Sequence, residues 1–445
     1  MPTFQTSSRL RWPSSTHAVI DDILNRINLL DACCDNDGLI RIRRPVTTDA
    51  KLVHGFLQSS RSSRVPKMVT APLPQQQQQQ QQQQASHDEC PMVHAILPVD
   101  SLAQYLSSTC VEYDGFQPVF IVVEERNASS SSSSDDDWII RSLAQWSFGY
   151  STWKGRVMNL NVFISGKYES ILMKLLATIA TELDCKRLVH QKLNKPSADS
   201  FCKLHNAEEL PEWLQLQLGI CHMTALLNKT KFRQEWSTFH ENYLFPPHTS
   251  DRPCTTDIIV QTLEVANEIL IKKSEGSGKK IKLRLASERD ANHILNLVKG
   301  LAVFEKAADE VIVNSEIYKR DGCGVRHPIF HCILVESLND ESNSSNVVVG
   351  MGLFYFGYDA LNGGRFLFLE DLFIEQEYRG LGCGTCIMTC LADISLKTGC
   401  SRFVWQVLDW NTPAIEFYKT IGATVCNNVL TVRLNYDRIC DTAIK

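Results

Sequence analysis

The chain repeats itself, and that limits what it can fold into more than any other feature. Four stretches of the first half recur in the same order in the second. RIRRPVTTDAKLVHGFL (41–57) matches KLRLASERDANHILNLV (282–298), and PVFIVVEE (118–125) matches PIFHCILVE (328–336). LAQWSFGYSTWKGR (143–156) matches MGLFYFGYDALNGGR (351–365), and CKRLVHQKLNKPSADSFCKLHNA (185–207) matches CSRFVWQVLDWNTPAIEFYKTIGA (400–423). Each half reads as strand, helix, short helix, several strands, helix, strand, helix, strand. This alternation predicts a central sheet with helices on both faces, built twice. A chain of 445 residues has the length for two such cores.

The repeat sets the expected boundaries. Residues 1–35 read as an N-terminal extension without structure, 36–229 as the first domain, 230–280 as a helical connector and linker, and 281–445 as the second domain. Gln75–Gln84 and the Ser/Asp tract 129–137 fall where loops belong and offer no apolar face to bury. DIIVQTLEVANEIL (257–270) has apolar residues at helical spacing and is expected to pack on one copy or bridge the two. KKSEGSGKK (272–280) reads as a flexible tether.

Composition excludes several classes of function. With 44% hydrophobic and 21% charged residues and a net charge of −5, the chain lacks the basic excess of a nucleic-acid binder. No run of about 18 apolar residues suggests a membrane span. The scattered 16 cysteines read as reduced thiols inside a cell, in the cytoplasm or, on the weak transit-like start, in an organelle. Cys383, Cys386 and Cys390 lack a second ligand pair for zinc, so no metal is expected, although thiols at a helix start tend to acidify. His327 and His331 read as structural or channel-lining.

The second half contains YRGLGCG (378–384) between an apolar strand and a helix, and the first half lacks it. Gly380, Gly382 and Gly384 permit positive-φ turns that turn successive N–H groups inward, the helix start favours anions, and Arg379 adds a charge able to meet a phosphate. A pyrophosphate fits such a nest. A Walker loop would need Gly-Lys-Ser/Thr where Cys383–Gly384–Thr385 stands, and a dinucleotide fold would place its glycine turn after the first strand.

On LAVFEK (301–306), FYFGYD (354–359), FLEDLFI (368–374), YRGLGCG and VLDWNTPAIEFYKTIGA (407–423), residues 281–436 resemble the GNAT superfamily of acetyl-CoA-dependent N-acetyltransferases. Within it they resemble the spermidine/spermine (diamine) branch that includes thialysine acetyltransferases. The resemblance implies two tandem α/β (α+β) domains, each a mixed, mostly antiparallel sheet flanked by helices. It also implies an acetyl-CoA site at Leu372, Phe373, Ile374, Arg379, Gly380, Leu381, Gly382, Cys383, Gly384, Thr385, Asn411 and Tyr418. Glu370 matches the acid that deprotonates the amine, and Tyr418 the acid that protonates the departing sulfur. Glu305, Asp359, Glu370 and Asp371 match substrate-binding acids, although strand alternation points Asp371 away from Glu370. Two departures, Leu361 for a tryptophan and the altered LTVRL (430–434), leave the amine open among a polyamine, a diamine and a lysine-like amino acid.

The first half spans 17 residue steps from Tyr168 to Cys185 where the second spans 22 from Tyr378 to Cys400, a difference of five, about the length of the loop. Cys202 stands in place of Tyr418 and Asn161 marks the reduced Glu-Asp pair, so the first half reads as a decayed copy that packs, dimerises or shields. The expected function is acetyl transfer to a primary amine of a small molecule. The alternatives are a non-catalytic CoA-binding regulator and a protein lysine or N-terminal acetyltransferase. The expected assembly is a homodimer or an intramolecular pairing of the two copies.

Overall fold

The computed structural model describes residues 19–25, 40–64, 106, 118–127, 138–193, 199–230, 232, 254–274, 279–323, 325, 328–338, 346–362, 364–427 and 429–443. The glutamine and serine tracts, residues 275–278 of the tether and His327 lie outside the described residues. Part of the N-terminal extension is ordered, contrary to expectation. Residues 19–25 form helix α1, whose Ile20, Ile23 and Leu24 are buried in the first core.

The first repeat continues as β1 (Ile40–Arg43), α2 (Ala50–Arg64), β2 (Val119–Arg126), β3 (Trp138–Ser151), β4 (Gly155–Ile164), α3 (Glu169–Glu182), β5 (Arg187–Leu193), α4 (Asp199–His205), β6 (Glu208–Leu210), β7 (Trp213–Gly219) and α5 (Ile220–Thr230). The connector helix α6 spans Thr255–Ser274. The second repeat follows as β8 (Lys280–Leu285), α7 (Ala291–Phe304), α8 (Ser315–Asp321), β9 (His331–Leu338), β10 (Val347–Asp359), β11 (Gly364–Ile374), α9 (Cys383–Lys397), β12 (Arg402–Leu408), α10 (Thr412–Thr420), β13 (Thr424–Val425), β14 (Val429–Asn435) and α11 (Tyr436–Thr442).

The repeats agree in side-chain chemistry as well as in order. Arg43 bridges Asp49 and Glu124 in the first, and Arg284 bridges Asp290 and Glu336 in the second. In each, the aspartate also accepts the main-chain N–H three residues back, at 2.7 Å from Val46 and 2.8 Å from Ser287. These contacts fix the turn that starts the first long helix of each copy.

Each sheet has seven strands and is antiparallel except at one pair, β4–β5 in the first and β11–β12 in the second. The orders are β1-β2-β3-β4-β5-β14-β6 and β13-β7-β12-β11-β10-β9-β8. The last strand of each repeat therefore lies in the other repeat's sheet. β7 pairs with β12 from Arg402↔Gly219 to Leu408↔Trp213, and β14 pairs with β5 from Val429↔Leu193 to Asn435↔Arg187. The helix after each exchanged strand goes with it. Met223, Leu226 and Leu227 of α5 are buried in one cluster with Ile387, Leu391 and Ile394 of α9, and Ile439 of α11 is buried with Leu172 and Leu176 of α3.

The connector joins the second core. Ile259, Leu263, Ala266 and Leu270 of α6 are buried in it, and Asn267 accepts from Leu283 N at 2.7 Å and donates to Leu283 O at 2.9 Å. Thr262 and Lys397 both meet Oδ2 of the fully buried Asp393, at 2.8 Å and 2.7 Å. Squeezed between the sheet, α5 and α6, helix α9 is buried on nearly every side.

Because Leu434 belongs to the second repeat but fills the first core, Leu434→Ala is expected to cost about 2–5 kcal/mol. It should also expose the amides of β5 to hydrogen exchange. Loss of protection confined to residues 280–427 would contradict the exchanged topology.

Candidate active site

One cleft of about 1800 Å³ runs between the two sheets and is lined by both repeats. Its floor on the second repeat is the glycine joint. Gly380 (φ +77) and Gly382 (φ +86) take the left-handed turns, and Gly382 caps α9. A side chain at Gly380 would meet nothing within 4 Å, so its glycine is required by the backbone angle and not by crowding. Gly384 differs from expectation: it is absent from the positive-φ set and sits in the first helical turn, where a Cβ would make ordinary contact with Phe417 at 3.5 Å. Cys386 N reaches back to Gly382 O at 2.9 Å. The first N–H groups of α9 have no acceptor in the helical ladder, and Gly380, Gly382, Cys383, Gly384 and Thr385 line the cleft. Arg379 holds the loop against the strand end, its Nε donating to Ile374 O at 2.8 Å and its guanidinium lying 5.9 Å from the Phe373 ring.

The strand before the joint splays. β11 pairs with β12 only from Phe366↔Arg402 to Leu369↔Trp405, so from Glu370 to Ile374 its free edge opens into the cleft. On its other edge a register shift falls at Leu353/Phe354, pairing Asp371 with Leu353 and Leu369 with Phe354 and leaving Glu370 as the bulged residue. The bulge breaks the alternation that would have sent Asp371 to the opposite face. Both residues line the cleft. Burial, then the charge of Asp371, raises the pKa of Glu370, and burial pushes that of Asp371 up to about 6.

Glu305, which ends α7, and Tyr418 on α10 complete this group. Burial first, then the charge of Asp371, pushes the Glu305 carboxyl up to about 8. Burial, then the nearby Glu305 and Asp371, raises the Tyr418 phenol well above its ordinary value and keeps it protonated. The Tyr418 ring packs 5.1 Å from Trp405. Asn411 caps α10, its side chain accepting from Ala414 N at 3.4 Å. Leu372, Phe373, Thr385 and Asn411 line the cleft, and Leu381 packs against the core at its edge. Cys383 does not acidify at its helix start, since burial and the neighbouring Cys386 push it up to about 11. His331 is buried against Phe354 and Phe356, with its pKa lowered to about 4 by burial and Arg365.

The remaining wall comes from the first repeat, where sequence reasoning did not look. The tip between β3 and β4 reaches the carboxylates: the Thr152 main-chain N–H approaches Glu370 and its hydroxyl approaches Asp371. Four contacts anchor the tip. Tyr318 Oη donates to Thr152 O at 2.6 Å, Ile312 N donates to Trp153 O at 2.9 Å, Lys154 meets Glu310 at 2.7 Å and Arg156 meets Asp321 at 2.8 Å.

The matching tip of the second repeat enters the first. Ala360 and Leu361 are buried with Val53, Leu57 and Val162, and Gln145 Nε2 donates to Tyr358 O at 3.0 Å. Asp359 lines the same cleft, as expected of a channel acid, but at a distance from Glu370. It lies six residues down the strand pair, about 20 Å away at strand rise. Its carboxylate is committed to Arg402 at 3.1 Å, Asn362 Nδ2 at 2.7 Å and Leu361 N at 3.0 Å. The tryptophan expected at Leu361 stands at Trp153 in the aligned column, on the tip that lines the cleft beside Glu370.

The first repeat's own joint is filled from within. A short turn (Gly166–Tyr168) leads straight into α3, and Glu169 at its start bonds Ser165 Oγ at 3.1 Å and His205 Nε2 at 3.1 Å. A carboxylate thus occupies the place where a helix start would draw an anion. Asn161 takes the bulged position of Glu370, and burial and Glu209 raise the Cys202 thiol.

A model of the acetyltransferase (GNAT) family matches residues 310–423. A thialysine N-epsilon-acetyltransferase of Sus scrofa is 41% identical over 142 residues, 32% of this chain and 82% of that protein. An L-ornithine N5-acetyltransferase of Arabidopsis thaliana is 35% identical over 106 residues, 24% of this chain and 44% of that protein. Among solved structures, a tandem GNAT protein from the clavulanic acid biosynthesis pathway overlaps 89% of this chain and 98% of its own at 11% identity, with a TM-score of 0.38, too low to argue from.

The Glu305 carboxyl, raised from 4.5 to about 8, binds its proton more tightly folded than unfolded. Its neutral form therefore supports the fold at low pH, and that support is lost as pH rises through this window. Glu305→Gln should match the wild-type melting temperature near pH 4 and exceed it by a growing margin up to pH 8. A difference that shrinks with rising pH would contradict the assignment.

Proposed function

Because the chain belongs to the GNAT acetyltransferase family, we propose that its second repeat transfers an acetyl group from acetyl-CoA to a primary amine of a small molecule by direct attack. The observation that carries this is one cleft that joins an anion-receptive glycine joint, a splayed strand edge, a carboxylate pair and a protonated phenol. The N–H groups around Gly380–Thr385 suit a diphosphate. The open edge at Leu372–Ile374 suits the amide-bearing pantetheine arm and leaves a main-chain N–H for the oxyanion. Bound acetyl-CoA would supply an electrophilic thioester carbonyl.

The rest is proton management. An alkyl ammonium titrates near about 10.4, so the amine arrives charged and must lose a proton before it can attack. Asp371, pushed up by burial to about 6, has a strength suited to a site working near neutrality, and Glu370, raised by burial and by Asp371, stands beside it as the base that takes the amine's proton. Tyr418 keeps its proton until a departing thiolate takes it. The exchanged strands give the two copies their pairing within one chain, which favours the intramolecular arrangement over a homodimer. The first repeat then serves as a structural partner whose hairpin walls the site.

Mixing the protein with acetyl-CoA and a panel of small amines should release free thiol. Tyr418→Phe is expected to lower kcat by about 10²- to 10⁴-fold while CoA still binds. Unchanged behaviour of that variant and of Glu370→Gln, with CoA binding intact, would instead support a non-catalytic CoA-binding protein.

A further inference from the structure

The cleft holds a cation that the chemistry above does not use. Arg187 opens β5 of the first repeat and lines the cleft beside the hairpin tip. Its counterpart is Arg402, which opens β12. The two share one register, Arg187 opposite Val157 and Arg402 opposite Phe366.

Arg402 is satisfied. Its Nη2 meets Asp359 at 3.1 Å and its Nη1 donates to Asn362 O. The first repeat has Ser151 in the aspartate's column, so Arg187 has lost the equivalent carboxylate. It retains Ser151 Oγ at 3.3 Å and Glu310 at 3.7 Å, and Glu310 is already bound to Lys154 at 2.7 Å. Arg187 Nε is buried with no acceptor among the described residues, and so is Nε1 of Trp153, two residues along the tip from Ser151. A guanidinium taken from water with only a distant, shared carboxylate to offset its charge is costly to the fold. Two orphaned N–H donors on one wall call for an acceptor that the described residues do not provide.

The facing wall has the opposite deficit. Glu370, Asp371 and Glu305 line the cleft, and the positive charge of Arg187 eases the burial of Glu370. A ligand that completes both walls carries an ammonium at one end and a carboxylate at the other. The planar fork of arginine matches a carboxylate in two parallel hydrogen bonds. A polyamine would bring a second cation against Arg187.

We propose that Arg187, contributed by the first repeat, holds the carboxylate of the substrate, and that the substrate is therefore an amino acid with a side-chain primary amine. This rests on reading the cleft as an amine acetyltransferase site. In this arrangement Arg187 selects the substrate and the acids of the second repeat process its amine.

The test compares L-lysine and L-ornithine with their decarboxylated diamines, cadaverine and putrescine, as acetyl acceptors for the full chain. Wild type should favour each amino acid in kcat/KM. In Arg187→Gln the ratio of amino acid to diamine should fall about 10- to 100-fold, through KM. Taking the ratio cancels the effect that loss of a positive charge has on Glu370. Arg187→Lys, which keeps the charge without the fork, should retain an intermediate ratio and shows that the site has not simply unfolded. A wild type that favours the diamines, or a ratio that Arg187→Gln leaves unmoved, overturns the proposal while leaving the acetyltransferase reading standing. No thiol release with any amine overturns that reading itself.

Discussion

The reciprocal exchange of β7 and β14 is the constraint on which the rest depends. A strand's main-chain donors and acceptors must be paired, and here each sheet borrows seven residues of ladder from the other repeat. Neither sheet is complete alone, so the two copies are held at a fixed separation and orientation. That fixed geometry lets a hairpin of one copy be built into the site of the other, as Thr152 is against the Glu370–Asp371 pair.

This explains an uneven decay. The first repeat has lost what only its own chemistry would need: the glycine joint, the bulged glutamate and the phenol give way to Glu169, Asn161 and Cys202. It has kept what the second repeat uses, namely the exchanged strand, the helix behind it and the hairpin tip with Trp153. The second repeat's tip enters a copy that lacks the glycine joint and the carboxylate pair, and there it is largely buried while still bordering the cleft. Leu361 fills a hydrophobic cluster and Asp359 closes an internal ion pair. Ser151 and Leu361 are thus two sides of one division of labour, in which each hairpin fits the copy it enters.

Much of this was legible from local pattern. The repeat, the strand-to-helix joint, the capping Asn411 and the position of Tyr418 depend on residues close in sequence, and the connector helix follows its apolar spacing. The misreadings came from effects that spacing does not encode. Alternation assigned Asp371 to the wrong face because a bulge at Glu370 resets the period. The dipole rule for Cys383 lost to desolvation once α5 and α6 covered α9. The exchange itself was hidden because WLQLQLG and VLTVRLN are both alternating strands, and alternation identifies a strand without saying which sheet receives it. The departure at Leu361 held the clue, since the aligned column already carried Trp153 in the other copy.

A chain with two copies of a fold and one intact joint should bind the nucleotide end of coenzyme A once. Calorimetric titration of the full chain with CoA measures this most directly. The account predicts one site per chain, lost when Gly382 is replaced by valine, because an L side chain at φ +86 strains the turn that aims the N–H groups. Two sites per chain, or one site indifferent to Gly382→Val, would contradict it.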